Sequence, residues 1–255
     1  MSARIALSSH SLARFSVKEA LIAVTKDFSA WEIVGEGGHY LPGIERELGE
    51  LLPSYDIECS VHTPLSDVNI GSMNPRMREA AMKEVVSAIE VTGRLGMNPF
   101  TLHPGFYTPL GMVDKEAVKA VTRDSIKVID KVAKDNGVIV ALENMPNMPI
   151  SMVTTPEELA LSIEGTDVKI CLDLGHANTT HNIESYIPLK DRIVNVHIHD
   201  NNGMYDQHLT VGDGNIDFKN ILPKLSSYKG RYVIEARTLD GAPLSRSRLE
   251  SLLSR

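Results

Sequence analysis

A single (β/α)8 TIM barrel is the fold class this chain predicts, and three observations lead there. Its 255 residues and 42% apolar content suit the roughly 250 residues over which such a barrel builds one core. Eight short runs rich in Val, Ile and Leu alternate with longer stretches of helical period, the pattern of repeated βα units on a parallel sheet. His, Asp and Glu recur near the ends of those runs, where a barrel gathers groups from several strands at one mouth. No linker, low-complexity stretch or charge block divides the chain, so residues 1–255 read as one domain.

In chain order the expected strands are Arg4 to Ser9, Trp31 to Gly35, Glu58 to His62, Phe100 to His103, Val138 to Glu143, Lys169 to Asp173, Ile193 to His199 and Tyr232 to Ala236. Helices fill the gaps. Asn74 ahead of Pro75 supplies an N-cap followed by a first-turn proline. Thr155-Pro156-Glu157-Glu158 reads as a capping box, with Glu158 at the third helical position. Gly96 and Gly137 close two long helices, because glycine adopts the left-handed C′ conformation without steric cost.

Alternate residues of a strand share a face. His103 therefore faces with Thr101, Glu143 with Ala141 and Ile139, Asp173 with Cys171, His197 with Asn195, and Glu235 with Val233. Their neighbours Leu102, Leu142, Leu172, Val196 and Ile234 face the helices. A polar set is thus expected inside, at the carboxyl ends of the strands, where barrels build active sites.

Cys59 and Cys171 are far apart, each inside an apolar run, and read as reduced buried thiols. Together with the absence of any leader-like segment or of an apolar run near the roughly 18 residues of a membrane helix, this points to a cytoplasmic protein with no membrane partner. The net charge of -7 gives no general attraction to phosphate backbones.

Nine residues stand out as candidate metal ligands: His62, His103, Glu143, Asp173, His176, His197, Asp206, His208 and Glu235. A ring of inward carboxylates and imidazoles needs compensation, since isolated buried charge is heavily penalised, and divalent cations supply it. Mixed His, Asp and Glu donors without cysteine suit Zn or Mn. Isolated histidines such as His10, His39 and His181 are read as local or surface groups. Gly212-Asp213-Gly214, after the seventh strand, is either an ordinary turn or an anion-holding loop. Trp31 is a candidate for core packing or sugar stacking. Glu36 is a candidate specificity group in the loop after the second strand. Phe106 and Tyr107 are expected to border the opening.

The segments Ser60-Val61-His62-Thr63-Pro64, Leu102-His103-Pro104-Gly105, Leu142-Glu143-Asn144, Leu172-Asp173-Leu174-Gly175-His176, His197-Ile198-His199-Asp200, Asp206-Gln207-His208 and Val233-Ile234-Glu235 resemble the endonuclease IV and xylose isomerase-like superfamily (AP endonuclease family 2). The likeness covers nearly the whole chain. Resemblance to endonuclease IV implies three ions: one held by His62, His103 and Glu143, a second by Glu143, Asp173, His197 and Glu235, and a third by His176, Asp206 and His208. Resemblance to the sugar isomerase and epimerase branch implies a single ion in the second group, with Glu143 and Glu235 as the acid/base pair. In that branch an arginine often stands where this chain has Asp206 to His208, and Arg237, inward by parity with Glu235, is the replacement anchor. Substrate contacts are expected from His176, Arg237, Asn144 and His199.

The favoured function is a divalent-metal-dependent isomerase or epimerase of a sugar or sugar phosphate, acting by proton transfer through an enediolate. The alternative is a tri-zinc phosphodiesterase acting on abasic DNA. Against it, the loop Thr63 to Asp67 carries no aromatic wedge, and Gly35 to Leu41 offers His39 and Tyr40 but no arginine. A metal-dependent metabolite-binding barrel without turnover is the third reading.

Overall fold

The computed structural model describes residues 4–254. Eight parallel strands close into a barrel in sequential order: β1 (Arg4–Ser8), β2 (Ala30–Val34), β3 (Glu58–His62), β4 (Phe100–Leu102), β5 (Val140–Glu143), β6 (Lys169–Asp173), β7 (Ile193–Ile198) and β8 (Arg231–Glu235). Pairing of β1 with β8, Ser8 opposite Glu235, shuts the ring. The outer layer comprises α1 (Val17–Val24), α2 (Leu41–Leu51), α3 (Pro75–Arg94), α4 (Pro109–Val113), α5 (Lys115–Asp135), α6 (Pro156–Ser162), α7 (Leu174–Thr179), α8 (Phe218–Lys224) and α9 (Ala242–Leu253). A 3-10 segment over Ile183–Arg192 completes the connection from β6 to β7.

Local chemistry sets the helix ends. Asn74 caps α3, its side chain accepting from the backbone N–H groups of Arg76 and Met77, with Pro75 in the first turn. Gly96 and Gly137 take positive φ, 66° and 67°, as a C′ residue does. Thr155 caps α6, but the Glu158 carboxylate accepts from Thr154 N at 2.9 Å, so the expected box closes one residue early. A full capping box occurs instead at Ser16 and Glu19, ahead of α1.

The main core lies between sheet and helices. Outward residues Leu102, Leu142, Leu172, Val196 and Ile234 are all buried there, as strand parity requires. Trp31 is buried on the same side and meets His39 edge-on at 5.3 Å, so it packs the core and does not stack on substrate. Inside the barrel, Ala6, Ala30 and Val233 form a separate small apolar cluster. Further along the strands Glu32, Ser60, Thr101 and Asn195 make a hydrogen-bonded polar layer. Ile139, assigned inward with Glu143, precedes β5 and is half exposed, because β5 starts at Val140. Among the described residues no helix is long and apolar enough to cross a membrane.

Candidate metal centre

Seven of the nine ligand candidates lie within three residues of the carboxyl end of a strand, Asp206 and His208 lie in the long loop after β7, and the closed ring turns all nine toward three neighbouring points. In the first group, Nε2 of His103 and of His62 lie 3.0 and 3.4 Å from Oε2 of Glu143. In the second, Nδ1 of His197 faces Oε1 of Glu143 at 3.2 Å, Oε1 of Glu235 at 3.2 Å and Oδ2 of Asp173 at 3.8 Å. In the third, Oδ2 of Asp206 lies 3.0 Å from Nε2 of His208 and 3.5 Å from Nε2 of His176. These are ligand-to-ligand separations of the kind that a tetrahedral ion with bonds of about 2.0–2.2 Å demands.

Two observations show that the donor sets fit divalent ions. Buried Oε2 of Glu143, Oδ2 of Asp173 and Oδ1 of Asp206 have no hydrogen-bond partner, although imidazole nitrogens lie close by. Nδ1 of His62 is 2.9 Å from its donor-accepting neighbour, the Thr63 carbonyl, and Nδ1 of His176 is 2.8 Å from the Asn144 carbonyl. Each Nδ1–H is thereby spent on a carbonyl, leaving Nε2 with its lone pair toward the mouth, the usual arrangement of a ligating histidine.

Without a cation, protons carry the compensating charge. Burial opposes a charged His62, but contact with the Glu143 carboxylate, and then Glu32, outweighs it and lifts the pKa to about 9. His176 is lifted in the same sense against burial, by Asp173, Asp206 and Glu143. Burial likewise opposes ionisation of Glu143 and Glu235; His197 and His103 hold the former well below the carboxylate range, and His197 and His208 the latter. Cys171 also lies within ligand distance of Glu143 and His197. Burial pushes its thiol far up, so it stays a neutral core group, unbridged to Cys59.

Several expectations change. Asn144 is fully buried and spends its amide on the Asp173 backbone, donating to Asp173 O at 2.9 Å and accepting from Asp173 N at 2.8 Å, so it clamps β5 to β6 and cannot reach substrate. His199 is buried beneath His208, the rings 3.9 Å apart and 13° from parallel. It too is shut off from substrate. Its Nε2 lies 3.4 Å from Oδ1 of Asp206, yet two parallel rings cannot both hold one ion in their planes, so His199 and His208 do not share an ion in this arrangement. Arg237 lies beyond the end of β8, where strand parity no longer applies. It is exposed, with Nη2 donating to Asp206 O at 2.9 Å.

A cavity of about 230 Å³ opens over the cluster, lined by Ser8, Ser9, His10, Asp206, His208, Glu235, Ala236 and Arg237. His10, read from sequence as a local group, is on its wall, 6.3 Å from the His62 ring. The loop after β1 brings it there, and no spacing signal marks it. Phe106 bridges to Ser151 and Tyr107 is buried, so neither lines the cavity. The Gly212 to Gly214 loop does bind an anion, but one of the chain's own: Asp200 accepts from Gly212 N at 2.9 Å and Ile216 N at 3.2 Å. Glu36 is likewise spent, on the loop after β3. Sequence reasoning missed Glu32, a fully buried carboxylate whose Oε1 lies 2.9 Å from Nε2 of His197; the acid inside the apolar run Trp31-Glu32-Ile33-Val34 is the signal that marks it.

Fold and mouth together define the class: a (β/α)8 barrel with histidine and carboxylate groups able to hold metal ions at the strand carboxyl ends. The family follows from sequence, for a model of the xylose isomerase-like TIM barrel matches residues 22–253, and the chain belongs to that family. It is 36% identical over 237 residues to the uncharacterized protein MJ1311 of Methanocaldococcus jannaschii, covering 89% of this chain and 81% of that one. A solved D-tagatose 3-epimerase-like protein superposes with a TM-score of 0.91 at 34% identity, covering 98% of this chain and 97% of its own. Probable endonuclease 4 of Acholeplasma laidlawii is 28% identical over 181 residues, 64% of this chain and 60% of that protein.

Proposed function

We propose that this chain is a divalent-metal-dependent enzyme that isomerises or epimerises a sugar or sugar phosphate by proton transfer through an enediolate. One observation carries the reading: Glu143 and Glu235, from β5 and β8, each present Oε1 at 3.2 Å to the same nitrogen of His197, and Glu235 also lines the cavity. Two carboxylates flanking one candidate ion position are what reversible proton transfer at carbon requires. Likeness along nearly the whole chain to a tagatose 3-epimerase-like protein supports it. The cavity lies just below the roughly 300–1,000 Å³ of drug-sized sites, the scale of a small metabolite.

When bound in the second group, a Zn or Mn ion supplies Lewis-acid polarisation of a ketose carbonyl and its neighbouring hydroxyl, acidifying the adjacent C–H. Glu143 and Glu235 are both held ionised in the absence of an ion, the form that takes a proton. One removes the proton from carbon; the C–H electron pair enters the enediolate double bond, and the carbonyl π pair moves to oxygen. A carboxyl group bearing a proton then returns it. Return from the opposite face inverts the centre, whereas return to the adjacent carbon exchanges aldose and ketose. Outside the ligand set, His10, Arg237 and the Ser8 hydroxyl are the cavity-wall groups that orient the substrate, the Ser9 hydroxyl being spent on the Ala236 carbonyl at 2.8 Å.

The test is solvent exchange. Metal-loaded protein incubated with a ketose panel in deuterated water should label one substrate carbon, and Glu143→Gln or Glu235→Gln should suppress the label. Undiminished exchange in both variants would exclude them as bases, and bound sugar without exchange in the parent protein would favour a binding barrel. The phosphodiesterase reading draws support from the three ligand groups described above and the endonuclease 4 relatives. It ranks second because Thr63 to Asp67 offers no aromatic wedge and His39 is buried against Trp31. Efficient incision of an abasic duplex would reverse the order.

A further inference from the structure

Glu32 belongs to none of the three ligand groups, yet it is a carboxylate fully enclosed inside the barrel. Its side chain has no solvent exposure, and a buried charge persists only where its oxygens are occupied. Oε2 accepts from Asn195 Nδ2 at 2.7 Å, from Ser60 Oγ at 3.3 Å and from Thr101 Oγ1 at 3.5 Å. Oε1 has no hydrogen-bond partner among the described residues and lies 2.9 Å from Nε2 of His197.

We propose that Glu32 is a positioning residue that fixes His197 in the tautomer protonated on Nε2, so that Nδ1 is presented as a metal ligand. The inference rests on the reading of His197 as a ligand and is independent of which reaction follows. Four polar groups from three other strands, β3, β4 and β7, converge on one carboxylate, and three of them are neutral donors on a single oxygen, an environment that favours the ionised acceptor. An ionised Oε1 favours hydrogen on the facing Nε2, since a lone pair there would meet a negative oxygen at 2.9 Å; the Asn195 amide, 3.2 Å from the same Nε2, has nearer acceptors for its two hydrogens in Glu32 Oε2 at 2.7 Å and Thr101 Oγ1 at 3.0 Å. With Nε2 protonated, the Nδ1 lone pair points toward oxygens of Glu143, Glu235 and Asp173 at 3.2, 3.2 and 3.8 Å. Only a cation or a proton makes that arrangement favourable. The carboxylate also strengthens the imidazole as a donor, the general effect of a carboxylate behind a ligating histidine.

Glu32→Gln preserves shape but lets an amide N–H face Nε2, which invites the reversed tautomer with hydrogen on Nδ1. Two measurements on zinc-loaded protein test the idea. Chelator competition should show the second-group ion bound about 10–100-fold more weakly in Glu32→Gln. In ¹⁵N NMR of histidine-labelled protein, the parent should show His197 protonated on Nε2, and the variant should lose that pattern. Unchanged zinc affinity and an unchanged His197 signal in the variant would overturn the proposal, as would lowered thermal stability with zinc affinity intact. If Glu32→Gln does not fold, the parent spectrum decides, since a zinc-loaded His197 protonated on Nδ1 is incompatible with it. Loss of zinc and of the tautomer in Glu32→Gln, in a protein whose parent exchanges no ketose proton, would support this inference while removing the sugar reading.

Discussion

Asn144 and Asp173 exchange two hydrogen bonds, side-chain amide to backbone, at 2.9 and 2.8 Å. In effect the Asn144 side chain extends the β5–β6 pairing by one step beyond Glu143 and so holds Asp173 at the mouth. Asn144→Ala would remove both bonds and leave a buried N–H and a buried C=O unpaired, at a cost of about 3 kcal/mol. Melting in the presence of a chelator should fall by roughly 6–12 °C. A drop of only a degree or two would mean that Asp173 is held by its strand alone.

Arg237 is the exposed cation of the cavity wall, with Nη2 on the Asp206 carbonyl at 2.9 Å. If the substrate carries a phosphate, Arg237→Ala should raise KM about tenfold for the phosphorylated sugar, equivalent to about 1.4 kcal/mol, with kcat little changed. The neutral sugar should be indifferent. Steady-state kinetics on both members of one sugar pair separate the cases, and equal effects on both would show that Arg237 acts through Asp206 and not on the substrate.

Gly175 makes room for His199. A Cβ there would lie 2.0 Å from Cε1 and 2.3 Å from Nε2 of that ring, which is backed on its other side by His208 at 3.9 Å. Gly175→Ala should therefore destabilise by about 1–3 kcal/mol through overpacking and displace both rings. Denaturant titration together with elemental analysis should record lower stability and a weakened third-group ion. An unperturbed variant would mean that the stacked rings can slide.

Glu36 ties the loop after β3 to the loop after β2, accepting from Leu65 N, Ser66 N and Ser66 Oγ at 3.1, 2.9 and 2.9 Å. Burial opposes its ionisation, but the hydrogen bonds from Ser66 and Leu65 outweigh burial and place its pKa below the ordinary 4.5. A depressed folded-state pKa contributes stability that is fully present above the ordinary value and is lost as pH falls through the folded one. Because the carboxylate is partly exposed, the contribution is discounted to about 1 kcal/mol. Glu36→Gln should melt roughly 2–4 °C lower at neutral pH, and the gap should close in acid. A gap independent of pH would assign the loss to packing.

The strands were legible because each is a short β-branched run with fixed two-residue alternation, and all eight observed strands lie within their expected spans or overrun them by one residue. Strand β5 starts two residues late, at Val140, which leaves Ile139 outside the barrel. Parity also fails at Arg237, because it holds only while the chain is extended. Asn144 and His199 look like mouth residues by position. Whether a side chain reaches substrate or is spent on a backbone amide or a neighbouring ring depends on partners 29 or 9 residues away, which spacing does not encode.

By itself the sequence determined the repeat of strand and helix and the chemical type of the group that ends each strand, since both follow from local periodicity. Closure of the ring decided the rest. It set Glu32 of β2 against His197 of β7, brought His10 to the cavity wall, and turned Glu143 and Glu235 toward one nitrogen. Residues on strands that are not hydrogen-bonded neighbours can meet only across the barrel interior, and their separation there is fixed by the closed sheet.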